Sequence, residues 1–248
     1  MSDSGFFSAS NQNARIRLFC FPHAGGGSAG FYQWKRILGH ETEVFPVHLP
    51  GRENRLKEPP YDRLGVMIPR LAEAMERYFD KPFAFFGHSM GALISFELSR
   101  ELRRSYGVTP VCLFASAFRA PRLPDKHRPI HDFPDDQLVQ ELLGRYNGIP
   151  EVVLRDSELM QLYLPILRAD LALLETYSYE PGVPLNCPIS VYGGVGDSEV
   201  DRTELEAWSQ QTSGSFKLQM FQGDHFFLNT NRDPLLLAIT ADLEQYAG

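Results

Sequence analysis

Residues 83–96 read Phe-Ala-Phe-Phe-Gly-His-Ser-Met-Gly-Ala-Leu-Ile-Ser-Phe, in which an apolar run precedes a Gly-x-Ser-x-Gly turn and a second apolar segment follows it. The first run has the length of a buried strand, and the segment from Gly91 to Tyr106 has helical spacing. Strand, turn and helix in this order are the context of a nucleophile elbow, which holds its serine at the edge of a sheet. We therefore predict that Ser89 is a catalytic nucleophile.

The two glycines of this turn indicate a strained backbone at the serine between them. Side chains at Gly87 and Gly91 would collide with the neighbouring strand and helix. We expect the strain to present the Ser89 hydroxyl to a cleft at the carboxyl edge of the sheet.

Apolar strand-like runs alternate with helical segments along most of the chain. The predicted strands are Arg15–Phe21, Val44–Leu49, Phe83–Phe86, Val111–Ala115, Ile189–Tyr192 and Phe216–Phe221. The predicted helices are Phe31–Leu38, Met67–Phe79, Gly91–Tyr106, Glu204–Thr212 and Pro234–Tyr246. This alternation predicts one α/β domain over residues 1–248, with a mostly parallel central sheet flanked by helices, as in the α/β-hydrolase fold.

Residues 118–188, here termed the lid segment, interrupt the alternation. They contain no convincing strand, but Asp135–Arg145 and Ser157–Tyr177 have helical spacing. We predict a helical lid insertion over the carboxyl edge of the sheet. The second of these helices is too rich in leucine for a surface helix, which fits either burial on two sides or one wall of an acyl pocket.

A serine hydroxyl is a weak nucleophile until a base removes its proton, so a histidine is expected after a later strand. His225 fits this requirement, because Phe216–Phe221 is the last predicted strand and residues 223–227 form the loop after it. The other histidines precede or adjoin Ser89 or fall in the lid segment. His225 is therefore the predicted base, whereas His23 is expected to bond to nearby backbone in a structural role.

A carboxylate is needed to hold the imidazole in the correct tautomer. Asp197 follows the penultimate predicted strand and satisfies the chain order serine, acid, histidine. Three further carboxylates lie nearby, and we interpret them as solvated loop charges: Glu199, Asp201 and Asp224. Asp197 is therefore the predicted acid.

The oxyanion formed when serine attacks an ester or thioester needs preorganised N–H donors. Met90 opens the helix after the turn and is predicted to supply one backbone N–H. Ala24, in the glycine-rich loop of residues 22–27, is predicted to supply the other. That loop lacks the Lys-Ser/Thr of a Walker motif and the spacing of a dinucleotide site, which argues against nucleotide binding.

Composition excludes several other function classes. The net charge of −7 and the lack of a long Lys/Arg run argue against nucleic acid. No apolar run could cross a membrane and no secretory signal is apparent, so we expect a cytoplasmic protein. We also expect it to be a monomer. Three isolated cysteines without metal-site spacing are expected to be buried apolar residues: Cys20, Cys112 and Cys187. No metal or cofactor is predicted.

Further motifs accompany the serine turn in a defined order. They are Phe21-Pro-His-Ala-Gly-Gly26, Leu49-Pro-Gly-Arg52, Gly87-His-Ser-Met-Gly91, Leu113-Phe-Ala-Ser-Ala117, Glu175-Thr-Tyr177 and Gly223-Asp-His-Phe-Phe-Leu228. With these motifs the chain, from about Arg15 to its C-terminus, resembles the type II thioesterases of polyketide and nonribosomal peptide biosynthesis. The resemblance implies a discrete editing enzyme that removes stalled or wrong acyl groups from an acyl or peptidyl carrier protein. The substrate, and not the enzyme, would then carry phosphopantetheine.

The resemblance also bears on the acid. The family has its acid after the penultimate strand, as at Asp197, whereas integrated type I domains have it after the strand that follows the nucleophile helix. Residues 116–119, Ser-Ala-Phe-Arg, contain no carboxylate there. One departure is that residues 196–199 read Gly-Asp-Ser-Glu, where relatives commonly have Asp-Asp-Pro or Asp-Pro.

Two alternative functions remain open from the residues. A carboxylesterase or acyltransferase acting on small-molecule esters would use the same triad. A non-catalytic binding module with this fold would be expected to have a broken triad, and the triad predicted here is complete.

Overall fold

The computed structural model describes residues 5–7, 14–145, 149 and 151–246. Within these residues, six strands form one sheet: β1 Ile16–Phe21, β2 Thr42–Pro46, β3 Phe83–His88, β4 Leu113–Ser116, β5 Ile189–Gly194 and β6 Phe216–Phe221. The strand order is β2-β1-β3-β4-β5-β6, and every neighbouring pair is parallel. The predicted α/β class with a mostly parallel sheet is confirmed.

The strand β2 lies closer to the N-terminus than the predicted Val44–Leu49. The N–H of Val47, just after β2, still donates to the carbonyl of Cys20 in β1, but the N–H of His48 donates to the carbonyl of Phe6 in the N-terminal segment. The presence of β2 was therefore predicted, but its end depends on a contact with the N-terminal segment.

The central strands are buried along their whole length, whereas β6 at the edge alternates between half-buried and exposed residues. Continuous burial is typical of parallel strands that are covered on both faces. Alternate residues of β1 face different cores: Phe19 belongs to the core that includes Leu71 of one helical layer, and Leu18 to the core that includes Ile239 of the other.

Helices cover both faces and follow most strands. Their bounds are α1 Lys35–Leu38, α2 Leu64–Met75, α3 Met90–Tyr106, α4 Asp135–Arg145, α5 Glu151–Leu154, α6 Ser157–Glu175, α7 Arg202–Glu206, α8 Phe227–Thr230 and α9 Arg232–Leu243. Several predicted helices are partly 3-10 in the structure, at Ala29–Trp34, Glu76–Tyr78, Ala207–Gln211 and Glu244–Tyr246. The four-residue helices α5 and α8 were not predicted, since one turn carries no readable periodicity.

The described part of the lid segment contains helices α4, α5 and α6 and no strand. The two helices predicted there are present. Asp156 is the N-cap of α6, and its carboxylate accepts the N–H groups of Glu158 and Leu159. A small core of their own joins these helices: Ile130, Leu138, Leu142, Ile149, Leu164, Leu167 and Leu171. Across the described residues, we find no helix that has both the length and the apolarity required to cross a bilayer.

Candidate active site

Ser89 lies at the sharp turn between β3 and α3. Its backbone has φ 54° and ψ −119°, and its N–H donates to the carbonyl of Ser116 at 2.7 Å. A Cβ added at Gly87 would lie 2.1 Å from the carbonyl oxygen of Gly91, and one at Gly91 would lie 2.2 Å from that of Phe21. Neither backbone oxygen can rotate aside, so both positions of the turn require glycine, as predicted.

The structure brings Asp197 and His225 together. The Nδ1 of His225 lies 2.9 Å from one carboxylate oxygen of Asp197, and the two side chains are only 9% and 1% exposed. The other carboxylate oxygen accepts the N–H groups of Glu199 at 2.9 Å and Val200 at 3.3 Å. The carboxylate is thus fixed on both sides and can hold the imidazole in one orientation.

Adjacent strands bring these two residues into contact. Asp197 follows β5 and His225 follows β6, which is its parallel neighbour in the sheet. Beyond the strands, the pairing continues through bonds from Val195 N–H to Phe221 O and from Gly196 N–H to Gly223 O, each 2.8 Å long. The two loops therefore leave the sheet side by side.

The three neighbouring carboxylates differ in their surroundings. Asp201 caps helix α7 in a capping box with Glu204, and Asp224 accepts the N–H of Phe226. Glu199 differs from the prediction of a solvated charge. Its side chain is only 9% exposed and lies 3.0 Å from Nε2 of His127 in the lid segment. The interpretation of Glu199 as a solvated loop charge was wrong, since the lid segment covers it.

Two further histidines lie beside His225, and both are held neutral. Burial, followed by the nearby His225 and Arg52, lowers the pKa of His23 to about 4. Burial, followed by His225 and His23, holds the pKa of His88 well below its ordinary value, and its Nδ1 lies 2.9 Å from Ser116 Oγ. The ring of His23 packs edge-on against Phe226 at 5.0 Å. Neither the ring of His23 nor that of His88 therefore carries a charge near neutral pH.

The two candidate oxyanion donors flank the serine. Ala24 lies in the loop after β1 and lines the same cavity as Ser89 and His225, while Met90 is the first residue of α3. Within the described residues, neither the Ala24 N–H nor the Met90 N–H donates a hydrogen bond to the protein. Both groups are therefore available to a substrate oxygen.

The cavity over Ser89 has an apolar wall and a volume of about 50 Å³. Its apolar lining comes from Leu142 of α4, from Ile149 and from three leucines of α6: Leu167, Leu171 and Leu174. Leu173 of the same helix is buried in the main core, whereas Leu162 is 53% exposed. The two interpretations of this helix are thus compatible, because it is buried on one side and forms a pocket wall on another.

Two residues of the site were not predicted from sequence. Arg52 and Asp170 form a buried ion pair, and the Asp170 carboxylate also accepts the N–H of Gly25, which follows Ala24. Arg52 belongs to the Leu-Pro-Gly-Arg motif, which gave no role for it. Asp170 carries no local signal except that it is a single carboxylate within a leucine-rich helix.

Potential metal ligands and thiols can be placed for the described residues. No group of three or more His, Cys, Asp and Glu side chains there could hold a metal ion. The three cysteines are buried, as predicted, and burial raises the pKa of each thiol: Cys20, Cys112 and Cys187.

The comparison with protein families decides the relationship. The family model described as "Thioesterase domain" matches residues 16–243. This chain belongs to the thioesterase family. It is therefore an enzyme that hydrolyses thioesters. Its resemblance to the type II members of the family is confirmed by its similarity to the solved structure of the type II thioesterase BorB.

Individual relatives agree with this assignment. The gramicidin S biosynthesis protein GrsT of Aneurinibacillus migulanus is 47% identical over 218 residues, which cover 88% of this chain and 85% of GrsT. The structure of RedJ, a thioesterase from the prodiginine pathway of Streptomyces coelicolor, is 37% identical with a TM-score of 0.87, covering 95% of this thioesterase and 94% of RedJ. The structure of BorB, a type II thioesterase from the borrelidin biosynthetic cluster, is 34% identical in sequence and matches with a TM-score of 0.86. The match covers 96% of this thioesterase and 97% of BorB.

Proposed function

We propose that this thioesterase removes acyl groups from the phosphopantetheine arm of an acyl or peptidyl carrier protein, through a Ser89–His225–Asp197 triad. The observation that carries the proposal is the 2.9 Å bond between His225 and a fully fixed Asp197, beside a cavity that Ser89 and His225 share. The names of three relatives support the pathway, since GrsT, RedJ and BorB are each named for the biosynthesis of a natural product.

In the proposed reaction, the Ser89 oxygen attacks the thioester carbonyl while His225 takes the hydroxyl proton. The N–H groups of Ala24 and Met90 stabilise the oxyanion, and Asp197 stabilises the imidazolium. The carbon–sulfur bond then breaks, and the pantetheine thiol leaves with the proton from His225. An acyl-Ser89 ester remains.

Water completes the cycle by attacking the acyl-Ser89 ester. His225 accepts a proton from the water and returns it to the Ser89 oxygen, which releases a free carboxylic acid. A thiol has a pKa near 8.5 and leaves more readily than an alcohol, so deacylation is the slower step in this proposal. Slow, tolerant hydrolysis suits an editing enzyme.

The proposal includes no cofactor on the enzyme, because the triad supplies both the nucleophile and the proton transfers. The phosphopantetheine arm belongs to the substrate. We also propose that the enzyme is cytoplasmic and monomeric, since such an enzyme would meet carrier proteins directly.

Mass spectrometry of a propionyl-loaded carrier protein tests this function. Propionyl is chosen as a short acyl group whose removal gives a defined change in the mass of the carrier. We expect wild type to remove the propionyl group and Ser89→Ala to leave the carrier loaded. Retention of the group with both proteins would refute the proposed substrate.

The main rival is a carboxylesterase or acyltransferase with the same triad. A comparison of kcat/KM for the propionyl carrier with kcat/KM for a propionyl oxygen ester separates the two. The proposal requires the carrier thioester to be the better substrate, whereas a general esterase would prefer the small ester.

A further inference from the structure

A buried ion pair connects the lid segment to the loop that carries Ala24. The guanidinium of Arg52 donates to both oxygens of Asp170, at 2.7 and 2.9 Å. Arg52 is 5% exposed and Asp170 is 2% exposed, so both charges are removed from water. Asp170 lies in α6 and Arg52 in the loop after β2, 118 positions apart in the chain.

Both partners also bind the backbone of the loop after β1. The Asp170 carboxylate accepts the N–H of Gly25 at 2.7 Å, and Arg52 donates to the carbonyl of Gly26 at 2.9 Å. These bonds hold the backbone immediately after Ala24. The carboxylate of α6 is therefore bonded to the peptide unit that directly follows the one carrying the Ala24 N–H.

Close packing reinforces this connection. Gly25 has φ 73°, and a Cβ added there would lie 2.3 Å from the hydroxyl oxygen of Tyr163 and 2.8 Å from a methyl carbon of Leu167, both on α6. Leu167 also lines the cavity over Ser89. Helix α6 thus forms one wall of the cavity over Ser89 and also contacts the loop that carries Ala24, the proposed oxyanion donor.

Stability alone does not account for such a pair. Desolvation of two charges offsets most of their attraction, and apolar residues of similar volume are often as stable in the same place. What the pair adds is geometry, since the carboxylate oxygens and the guanidinium nitrogens are aimed at specific backbone groups.

We propose that Arg52 and Asp170 are positioning residues that couple the position of helix α6 to the oxyanion hole, which the N–H groups of Ala24 and Met90 form. The Ala24 N–H points at the substrate oxygen when α6 is in contact with Gly25. The apolar wall of the cavity over Ser89 and the oxyanion hole are therefore formed together. This inference rests on the proposed function, in which Ala24 donates to the oxyanion.

The test is a double variant, Arg52→Met with Asp170→Leu, which removes both charges but keeps apolar volume. Its matched control is Arg168→Met with Asp135→Leu. That pair is 2.6 Å apart and also includes a residue of α6, Arg168. Within the described residues, Arg168 bonds to Asp135 and to the carbonyls of His131 and Phe133 in the lid segment, and to no residue of the loop that carries Ala24. The control therefore removes an ion pair of the same helix without touching the loop that carries Ala24.

Kinetics are measured with propionyl-N-acetylcysteamine, a small thioester that needs no carrier protein. We expect the Arg52/Asp170 variant to keep the wild-type Tm and KM while kcat falls roughly tenfold to a hundredfold, since an oxyanion donor is displaced. The inhibition constant of a trifluoromethyl ketone, which binds serine as an oxyanion, should rise by the same factor. The Arg168/Asp135 control should retain the wild-type kcat and inhibition constant.

A wild-type kcat and inhibition constant in the folded Arg52/Asp170 variant would overturn the inference, as would an equal loss in the control. If the double variant fails to fold, the isosteric Asp170→Asn substitution gives the answer, with the same split between kcat and KM expected. These readings are independent of the carrier protein. Failure of wild type on the loaded carrier would therefore refute the proposed substrate without affecting this test.

Discussion

The carboxylate of Asp197 lies 2.9 Å from Nδ1 of His225, and two backbone N–H groups hold its second oxygen. Since Asp197 accepts at both oxygens, it fixes the proton of the neutral imidazole on Nδ1. The Nε2 of His225 is then an acceptor, as required of a base that takes a proton from serine.

Replacing this carboxylate should remove most of the activity without unfolding the protein. We predict that Asp197→Asn lowers kcat on propionyl-N-acetylcysteamine by roughly 10³- to 10⁴-fold, because the amide favours the wrong tautomer of His225. Asp224→Asn is the matched control, since Asp224 adjoins His225 but bonds to the Phe226 N–H. A kcat for Asp197→Asn within tenfold of wild type would contradict the assigned acid.

The glycine requirement of the serine turn can be measured as stability. Gly91→Ala should lower the free energy of unfolding by about 3 kcal/mol, because the new Cβ would lie 2.2 Å from a backbone oxygen of Phe21. The control is Gly65→Ala in helix α2, where a Cβ meets no atom within 4 Å. It should leave stability unchanged or raise it by up to about 1 kcal/mol in urea unfolding. Equal stabilities for the two variants would disprove the steric argument.

Glu53 should contribute stability that depends on pH. His48 at 3.8 Å, together with the hydroxyl and N–H of Ser28 and the N–H of Ala29, holds the pKa of Glu53 at about 2, against the opposing effect of its partial burial. The ordinary value is 4.5. Because the folded-state pKa is depressed, the stabilisation is fully present above pH 4.5 and is lost as the pH falls towards 2.

We predict that Glu53→Gln lowers the free energy of unfolding by about 1–2 kcal/mol at pH 7, a value reduced for solvent screening of this partly exposed side chain. The difference from wild type should shrink in urea titrations between pH 4.5 and 2. Glu73→Gln, which removes an exposed ion pair with Arg70, serves as control and should change little. A difference that is independent of pH would show that the charge of Glu53 is not responsible.

The neutral state of the buried histidines is open to a direct titration. Since the pKa of His23 is lowered to about 4, we predict that its ring nitrogen shifts in NMR spectra stay constant from pH 8 to pH 5. The ring of His88 should remain neutral over the same range. In urea, where burial is lost, both should titrate near pH 6.5. Titration of His23 near pH 6.5 in the folded enzyme would contradict its burial beside His225.

The sequence was informative where local patterns determine the structure. The apolar run before Gly87 and the glycines around Ser89 are patterns of residues close together in the chain. The order of serine, acid and histidine spans distant residues, but each of the three directly follows a strand that could be predicted from its own local sequence. They predicted the parallel sheet and the loops that bring Asp197 and His225 together.

Contacts between distant segments were not predictable in this way. Glu199 was expected to be solvated, but His127, 72 positions earlier in the sequence, lies against it. Arg52 and Asp170 also meet only in the folded chain, and a single acidic residue in a leucine-rich helix does not reveal its partner. Such pairings depend on how the lid segment packs over the sheet, which periodicity does not describe.

The central claim is that Ser89 carries the acyl group during turnover. Wild type mixed with propionyl-loaded carrier protein, quenched in acid before turnover is complete and digested, allows the modified peptide to be identified by mass spectrometry. The account predicts a propionyl group on Ser89 in wild type and none on the corresponding peptide of Ser89→Ala, which should also leave the carrier loaded. Turnover by Ser89→Ala at the wild-type rate, or a propionyl group on another residue of the wild-type enzyme, would contradict it.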